Sequence, residues 1–175
     1  MNTNVQRFFK ALNAKISIAD EEFVRKYLSK QEQILFYKQR LADQRHSLDS
    51  AYYILRDTSS SKWANKHILI NAALLHDIGK TYVFLPLWVR PVCVILEKYL
   101  HSFYIYLGKK GKSQKSWKII KYFYAYQFHS EIGVEILSEI DADPKVLELI
   151  ELHHSEPFQN EPKELPFLRR ADMVS

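Results

Sequence analysis

The residues of this 175-residue chain best suited to chemistry are histidines and aspartates. In order they are His46, the dyad His76-Asp77, His129, the pair His153-His154 and Asp172. Imidazole nitrogens mixed with carboxylate oxygens suit a first-row transition metal, whereas magnesium and calcium favour oxygen alone. Most of these residues stand in apolar segments, where a polar side chain needs a strong partner to be tolerated. A buried metal is such a partner. The dyad opens the pentapeptide His76-Asp77-Ile78-Gly79-Lys80, which adds a cation four residues beyond the histidine.

The elements that must position these groups read as helices. Apolar residues recur at helical spacing and no alternating strand is evident, so the chain is expected to be all-α. Asp20 is a candidate cap for Glu21-Glu22-Phe23-Val24, and Ser29 with Glu32 forms a capping box before Ile34-Leu35-Phe36. A long helix carries His46, with Leu48, Ala51, Tyr52 and Leu55 on its apolar side, and Ser59-Ser60-Ser61 follows as a loop.

A helix over roughly residues 64–78 brings in the dyad. His76 and Asp77 are about 100° apart around it, so both face one cavity only near a helix end. Gly79 suits a left-handed stop there, and the stem of Lys80 reaches back toward the site. Asp143-Pro144 begins another helix, with Asp as N-cap and Pro at the first turn. It runs to His153-His154 and ends by Pro157. Adjacent histidines on a regular helix diverge, so both reach one cavity only where the helix frays. His129 is either a site residue or a residue flanking a helix begun by Ser130-Glu131. Residues 164–174 form a last short helix with Asp172. His67 and His101 have no motif around them and read as surface or core residues. Asp49, one turn beyond His46, reads as solvated or supporting.

At these residues the chain resembles the HD superfamily of metal-dependent phosphohydrolases, and more closely its HDIG branch, over residues 46–172. The stretch His129-Ser130-Glu131-Ile132-Gly133 is similar to the His-Pro-Glu-Ile-Gly segment of HDIG and HD-GYP proteins, with Ser130 in place of proline. Leu168-Arg169-Arg170-Ala171-Asp172 is similar to the family's closing Ala-Asp motif. After His153-His154 the chain reads Ser155-Glu156-Pro157-Phe158, without the Gly-Tyr-Pro loop of HD-GYP proteins, so a cyclic-dinucleotide phosphodiesterase assignment does not carry over.

The resemblance implies a single HD-type bundle of about seven to nine helices around a metal site. It implies that His46, His76, Asp77 and Asp172 hold one divalent transition metal (Mn, Fe, Co, Ni or Zn). Asp77 would bridge to a second metal held by His129, His153 and His154. The expected reaction is hydrolysis of a phosphate ester of a small phosphorylated metabolite or nucleotide, with Asp77 and Lys80 as the catalytic residues and Lys80 on a phosphoryl oxygen. Lowering the pKa of a water from 15.7 toward about 7 is worth roughly 12 kcal/mol, more than the 10²–10⁴-fold of a positioned side-chain base. The metal would therefore dominate. Two alternatives stand beside this reading. Some HD-fold proteins use a dinuclear iron site and O₂ to cleave C–C or C–P bonds, and an HD cavity can serve only to sense a ligand.

Composition bounds the rest. With 47% hydrophobic residues, four glycines and six prolines, disorder is excluded and one domain over 1–175 is expected. In it, helices within 1–40 pack on a core of 41–175. The lone Cys93 excludes an internal disulfide, and burial as a small apolar residue is its expected role. No apolar run at the N-terminus suggests secretion, and Pro86, Arg90, Pro91, Glu97 and Lys98 interrupt the longest apolar stretch, so a cytoplasmic protein is expected.

A helical insertion over about 98–128 is both basic and aromatic. Between Glu97 and Glu131 there is no acidic residue, yet seven lysines and ten aromatics occur, against a net charge of +5 for the whole chain. Gly108-Lys109-Lys110-Gly111-Lys112 is expected to be an exposed turn between two helices. Three readings are open: a hairpin with core aromatics and solvated lysines, a surface that draws an anionic substrate toward the metals, or contact of Lys109–Lys121 with nucleic acid or an anionic membrane.

Overall fold

The computed structural model describes residues 13–57, 65–86 and 88–175. Within them lie ten α-helices and no strand, slightly more helices than expected. The serine loop at 59–61 and the expected helix start at 64 lie outside the described residues.

The first two helices begin with capping boxes. In α1 (Ile18–Tyr27) the cap is Ser17, not Asp20: the Ser17 hydroxyl accepts from the Asp20 amide, while the Asp20 carboxylate accepts from the Ser17 amide. Asp20 is thus the third residue of the box, and it also accepts from Tyr52 and Arg45. In α2 (Lys30–Lys38) Ser29 and Glu32 form the expected pair. Glu32 is buried, and its other oxygen accepts from Asn71, which ties α2 to the centre of the bundle.

That centre is α4 (Lys66–Leu75), capped by the Asn65 side chain and buried at every position from Leu69 to Leu75. A helix apolar on all sides belongs inside a bundle. Around it pack α1, α2, α3 (Leu41–Arg56), α9 (Pro144–Leu152) and α10 (Leu165–Val174), whose Val24, Phe36, Leu48, Ile54, Leu149 and Leu168 join one core. Asp143 caps α9 with Pro144 in its first turn, as expected. On α3 the buried face is Leu48, Ala51 and Ile54, while Leu55 is exposed.

After α4 the chain passes through His76-Asp77 into a 3-10 turn, Ile78–Tyr82. Three helices then build a second, smaller core: α5 (Val89–Tyr99), α6 (His101–Gly111) and α7 (Lys118–Gln127). Its buried residues include Leu85, Val89, Cys93, Tyr104 and Phe123. Burial pushes the Cys93 thiol up to about 12, so it behaves as an apolar residue. The expected turn at Gly108-Lys109-Lys110-Gly111-Lys112 begins only at Lys112. Gly108 and Gly111 lie inside α6 and face α7, where a β-carbon on Gly111 would fall 2.6 Å from the Ile120 carbonyl oxygen. Small residues are required there because the two helices nearly touch. α7 then leads into α8 (His129–Ser138).

Candidate metal centre

Three helices end at the site, two of them in a histidine and the third just before one. His76 caps α4, His153 caps α9, and His129 follows the last turn of α7. A helix C-terminus leaves its last four carbonyls without partners. Each histidine uses Nδ1 to take one up: His76 donates to the Ala73 carbonyl at 2.9 Å, His129 to Tyr126 at 2.8 Å and His153 to Ile150 at 2.6 Å. With Nδ1 committed as donor, each ring in its neutral form presents its Nε2 lone pair to the centre, the arrangement that orients metal-binding imidazoles. The negative dipole ends of α4 and α9 also favour a cation there.

The carboxylates meet these rings from two sides. His46, from α3, lies with Nε2 2.9 Å from Asp172 Oδ1 and 3.9 Å from Asp77 Oδ2. His76 Nε2 is 3.6 Å from both the same Asp172 and the same Asp77 oxygen. The other Asp77 oxygen, Oδ1, is 3.3 Å from His129 Nε2 and 2.6 Å from Lys80 Nζ. His154 Nε2 lies 2.9 Å from His129 Nε2. All seven residues singled out in the sequence therefore lie in one centre. Asp77 stands in its middle with one oxygen toward His46 and His76, the two rings that Asp172 also approaches, and the other toward His129.

The adjacent pair His153-His154 lies at the end of α9, which stops at Leu152, and the two ring centres come within 3.9 Å of each other. Arg169 of α10 secures the turn that follows. It donates to Glu161 at 2.7 Å and to Ser155 Oγ at 2.8 Å, while Ser155 Oγ donates to the Leu152 carbonyl.

Whether a metal fits can be judged from donor atoms and their unmet demand. Three sets of ligand atoms lie within 4.8 Å of one another: His129, His153 and His154; His46, His76 and Asp172; and His76, Asp77 and His153. Two nitrogens on one cation at 2.0–2.1 Å are roughly 2.9–3.4 Å apart, close to the spacing of His129 and His154. His76 Nε2, His153 Nε2 and Asp77 Oδ2 are buried and make no hydrogen bond. Orphaned polar atoms of this kind are costly unless an ion meets them. The residues fit a divalent transition metal.

Electrostatics follows from this packing. Burial opposes the Asp77 charge, but Lys80, His76, His129 and His46 hold its carboxyl well below the usual carboxylate range. Asp172, also desolvated, is held low by His46 and His76. Burial works against a proton on His76, yet Asp77 and Asp172 outweigh it and raise its pKa to about 9. His129 moves the other way, to about 3, through burial and then the Lys80 charge. Burial and the neighbouring histidines keep His153 well below its ordinary value.

A family model described as HD domain matches residues 44–175, from α3 to the end of the chain. The chain belongs to the HD domain family. No curated protein and no solved structure matches it. Its relationship is to the metal-dependent phosphohydrolase superfamily, and the His/Asp groups able to hold a metal lie inside the matched region. The HD domain takes in α3 to α10, while α1 and α2 precede the match but share its main core.

Three features of this HD domain were not evident beforehand. Gly79 is not a left-handed stop, since no described glycine has positive φ. Instead the 3-10 turn lies against α8, and a β-carbon on Gly79 would fall 2.7 Å from the His129 carbonyl carbon and 2.8 Å from the Gly133 nitrogen. The glycines of the two motifs thus face each other. Arg90, which appeared in the sequence only as an interruption of an apolar stretch, pairs with Asp43 at 3.3 Å. Burial opposes its charge, but Asp43, Asp77, Tyr126 and Asp172 more than compensate and raise its pKa. The carbonyl partners of the histidines were also missed. The signal for them was present: a histidine at or just past a helix end, with carbonyls three residues back in want of donors.

Proposed function

We propose that this HD domain hydrolyses a phosphate ester of a small metabolite or nucleotide, with His46, His76, Asp77, His129, His153, His154 and Asp172 as ligands of one or two divalent transition metals. The single observation that carries this reading is the placement of Asp77. It is buried and anionic, with one oxygen toward His46 and His76 and the other toward His129, and the Nδ1 atoms of His76 and His129 are already used. A divalent metal bound there would supply Lewis acidity and lower the pKa of a water toward about 7, giving a nucleophile at neutral pH.

The chain's own residues do the rest. The carbonyls of Ala73, Tyr126 and Ile150 keep protons on Nδ1 and leave Nε2 for coordination. Lys80 sits on Asp77 Oδ1, with its ammonium 5.7 Å above the Tyr126 ring. From there it would contact a phosphoryl oxygen as negative charge develops. Arg90 would add a second cation, and its planar fork suits phosphate oxygens.

Asp77→Ala tests the reading. The protein purified without added metal is assayed for bound transition metals and for turnover of phosphomonoesters, phosphodiesters and nucleotides. The variant should lose both metal and turnover; full turnover in it would refute the reading. A mixed-valent pair of irons with O₂-dependent products in the parent protein would replace the hydrolase by an oxygenase.

A further inference from the structure

The exposed side of the α5–α7 unit plays no part in the centre described above. On α6, Phe103, Tyr106 and Lys110 recur at helical spacing and are exposed, and on α5 Ile95 and Tyr99, one turn apart, are exposed together with Leu100 at the junction of the two helices. This exposure is imposed by packing. Tyr104, Gly108 and Gly111 occupy the opposite face of α6, and a β-carbon on Gly108 would fall 2.6 Å from the Gln127 side-chain nitrogen. The helix cannot rotate to hide its aromatics without driving larger side chains into α7. Trp117, 79% exposed, and Ile119 are further exposed apolar side chains at the start of α7.

Lysines accompany these aromatics. Lys110 Nζ lies 3.4 Å from the Tyr106 hydroxyl and 5.6 Å from its ring centre, and Lys98 lies 5.3 Å above Tyr99. Seven lysines from Lys98 to Lys121 occur in a stretch that has no acidic residue between Glu97 and Glu131, and Lys112 is the one whose charge acts on Glu131. We propose that this face docks on an anionic phospholipid surface, with the aromatic and aliphatic side chains at the level of the headgroups and the lysines on the acidic lipids.

Charge and side-chain type select this occupant. A second copy of the chain would bring seven lysines against seven lysines. A nucleic acid would also accept lysine and exposed rings, but the planar arginine fork that suits phosphate is missing between Arg90 and Arg169, and the exposed aliphatic Ile95, Leu100 and Ile119 suit neither a phosphate nor a base. Exposed tyrosine and tryptophan among aliphatic residues, ringed by lysine, match an interfacial helix surface. No helix among the described residues is long and apolar enough to cross a membrane, so the contact is peripheral. The inference is independent of the reaction proposed above.

Flotation of the full chain with phosphatidylcholine vesicles, with and without about one-third phosphatidylserine, tests it. The protein should float with the anionic vesicles only. At about fivefold per lysine, K109Q/K110Q/K112Q/K115Q should weaken binding by on the order of 100-fold or more. F103S/Y106S, confined to exposed positions, should weaken it by about 10-fold, with the circular dichroism of the parent. If that variant fails to fold, the lysine variant alone decides. Absence of flotation, indifference to either set of substitutions, tighter binding of a single-stranded oligonucleotide than of vesicles, or a dimer in solution dissolved by F103S/Y106S would each overturn the proposal.

Discussion

Replacing Gly79 with alanine should damage both the fold and the metal centre, whereas the same change at Gly133 should do little. A Gly79 β-carbon meets the backbone of α8, 2.7 Å from the His129 carbonyl carbon and 2.8 Å from the Gly133 nitrogen, and the His129 carbonyl oxygen is nearer still. Carbon contacts are comfortable only near 3.5–4.0 Å, so the two backbones must part by about 1 Å. Neither is the flexible end of a side chain, so the cost belongs at the upper end of overpacking, about 3 kcal/mol. In a chain of this length that lowers Tm by roughly 6–12 °C. The same movement displaces His129 from Asp77 Oδ1, now 3.3 Å away, and 1 Å of misplacement costs about 10²-fold in rate. At Gly133 the nearest obstacle is the Ile78 Cγ2 methyl at 3.2 Å. It needs to yield only a few tenths of an ångström, and alanine returns up to about 1 kcal/mol of helix propensity. The net change should stay within about 1 kcal/mol, or roughly 4 °C. Thermal unfolding and metal analysis of both variants read the difference. A G79A protein melting within about 3 °C of the parent and retaining its full metal content would refute the close-approach argument.

Metal uptake by metal-free protein should expel about one proton near neutral pH. Burial disfavours the charge on His76, but Asp77 and Asp172 raise its pKa to about 9, so it is protonated below that value and must lose the proton to bind, whereas His129 at about 3 adds none. Apparent affinity should rise about tenfold per pH unit from 7 to 9, and calorimetry in buffers of different ionisation enthalpy would expose a pH-independent affinity. Arg169→Ala frees the turn after His154 from Ser155 and Glu161, and should weaken metal binding by about 10-fold with secondary structure retained; unchanged affinity would remove Arg169 from the site's support. Arg90→Ala should raise KM for an anionic substrate more than it lowers kcat, and equal loss in both would count against a role in binding. Asp20→Asn should destabilise the protein at neutral pH. Burial tends to raise the Asp20 pKa, but Ser17, Tyr52 and Arg45 lower it overall. Its contribution is therefore complete above about 3.8 and lost as pH falls through the lower folded value, so the gap in melting temperature between parent and variant should close in acid.

Helical character, the Ser29–Glu32 box, the Asp143-Pro144 start and the burial of Cys93 were all legible because each depends on a few neighbouring residues. The Ser17 cap was misjudged for a local reason. Asp20 can cap a helix or complete a box, and only the backbone path through Ser17 chooses between them. The placement of Gly108 and Gly111 in a turn failed because glycine marks either a bend or a close approach, and α7, which makes it an approach here, is remote in sequence.

The residue types by themselves determined what the centre can bind. Histidine nitrogen with aspartate oxygen on apolar segments is a donor set suited to a transition metal once the helices bring it together. Tertiary structure decided how they do so. Asp77 divides its two oxygens between groups drawn from α3, α7–α9 and α10, Gly79 lets α8 approach closely enough for His129 to join, and Arg90 turns from a break in a pattern into a charge tied to the site. Such outcomes depend on distances between segments up to 126 residues apart. Local pattern carries propensity and periodicity, but distances of that kind arise only when the cores have packed.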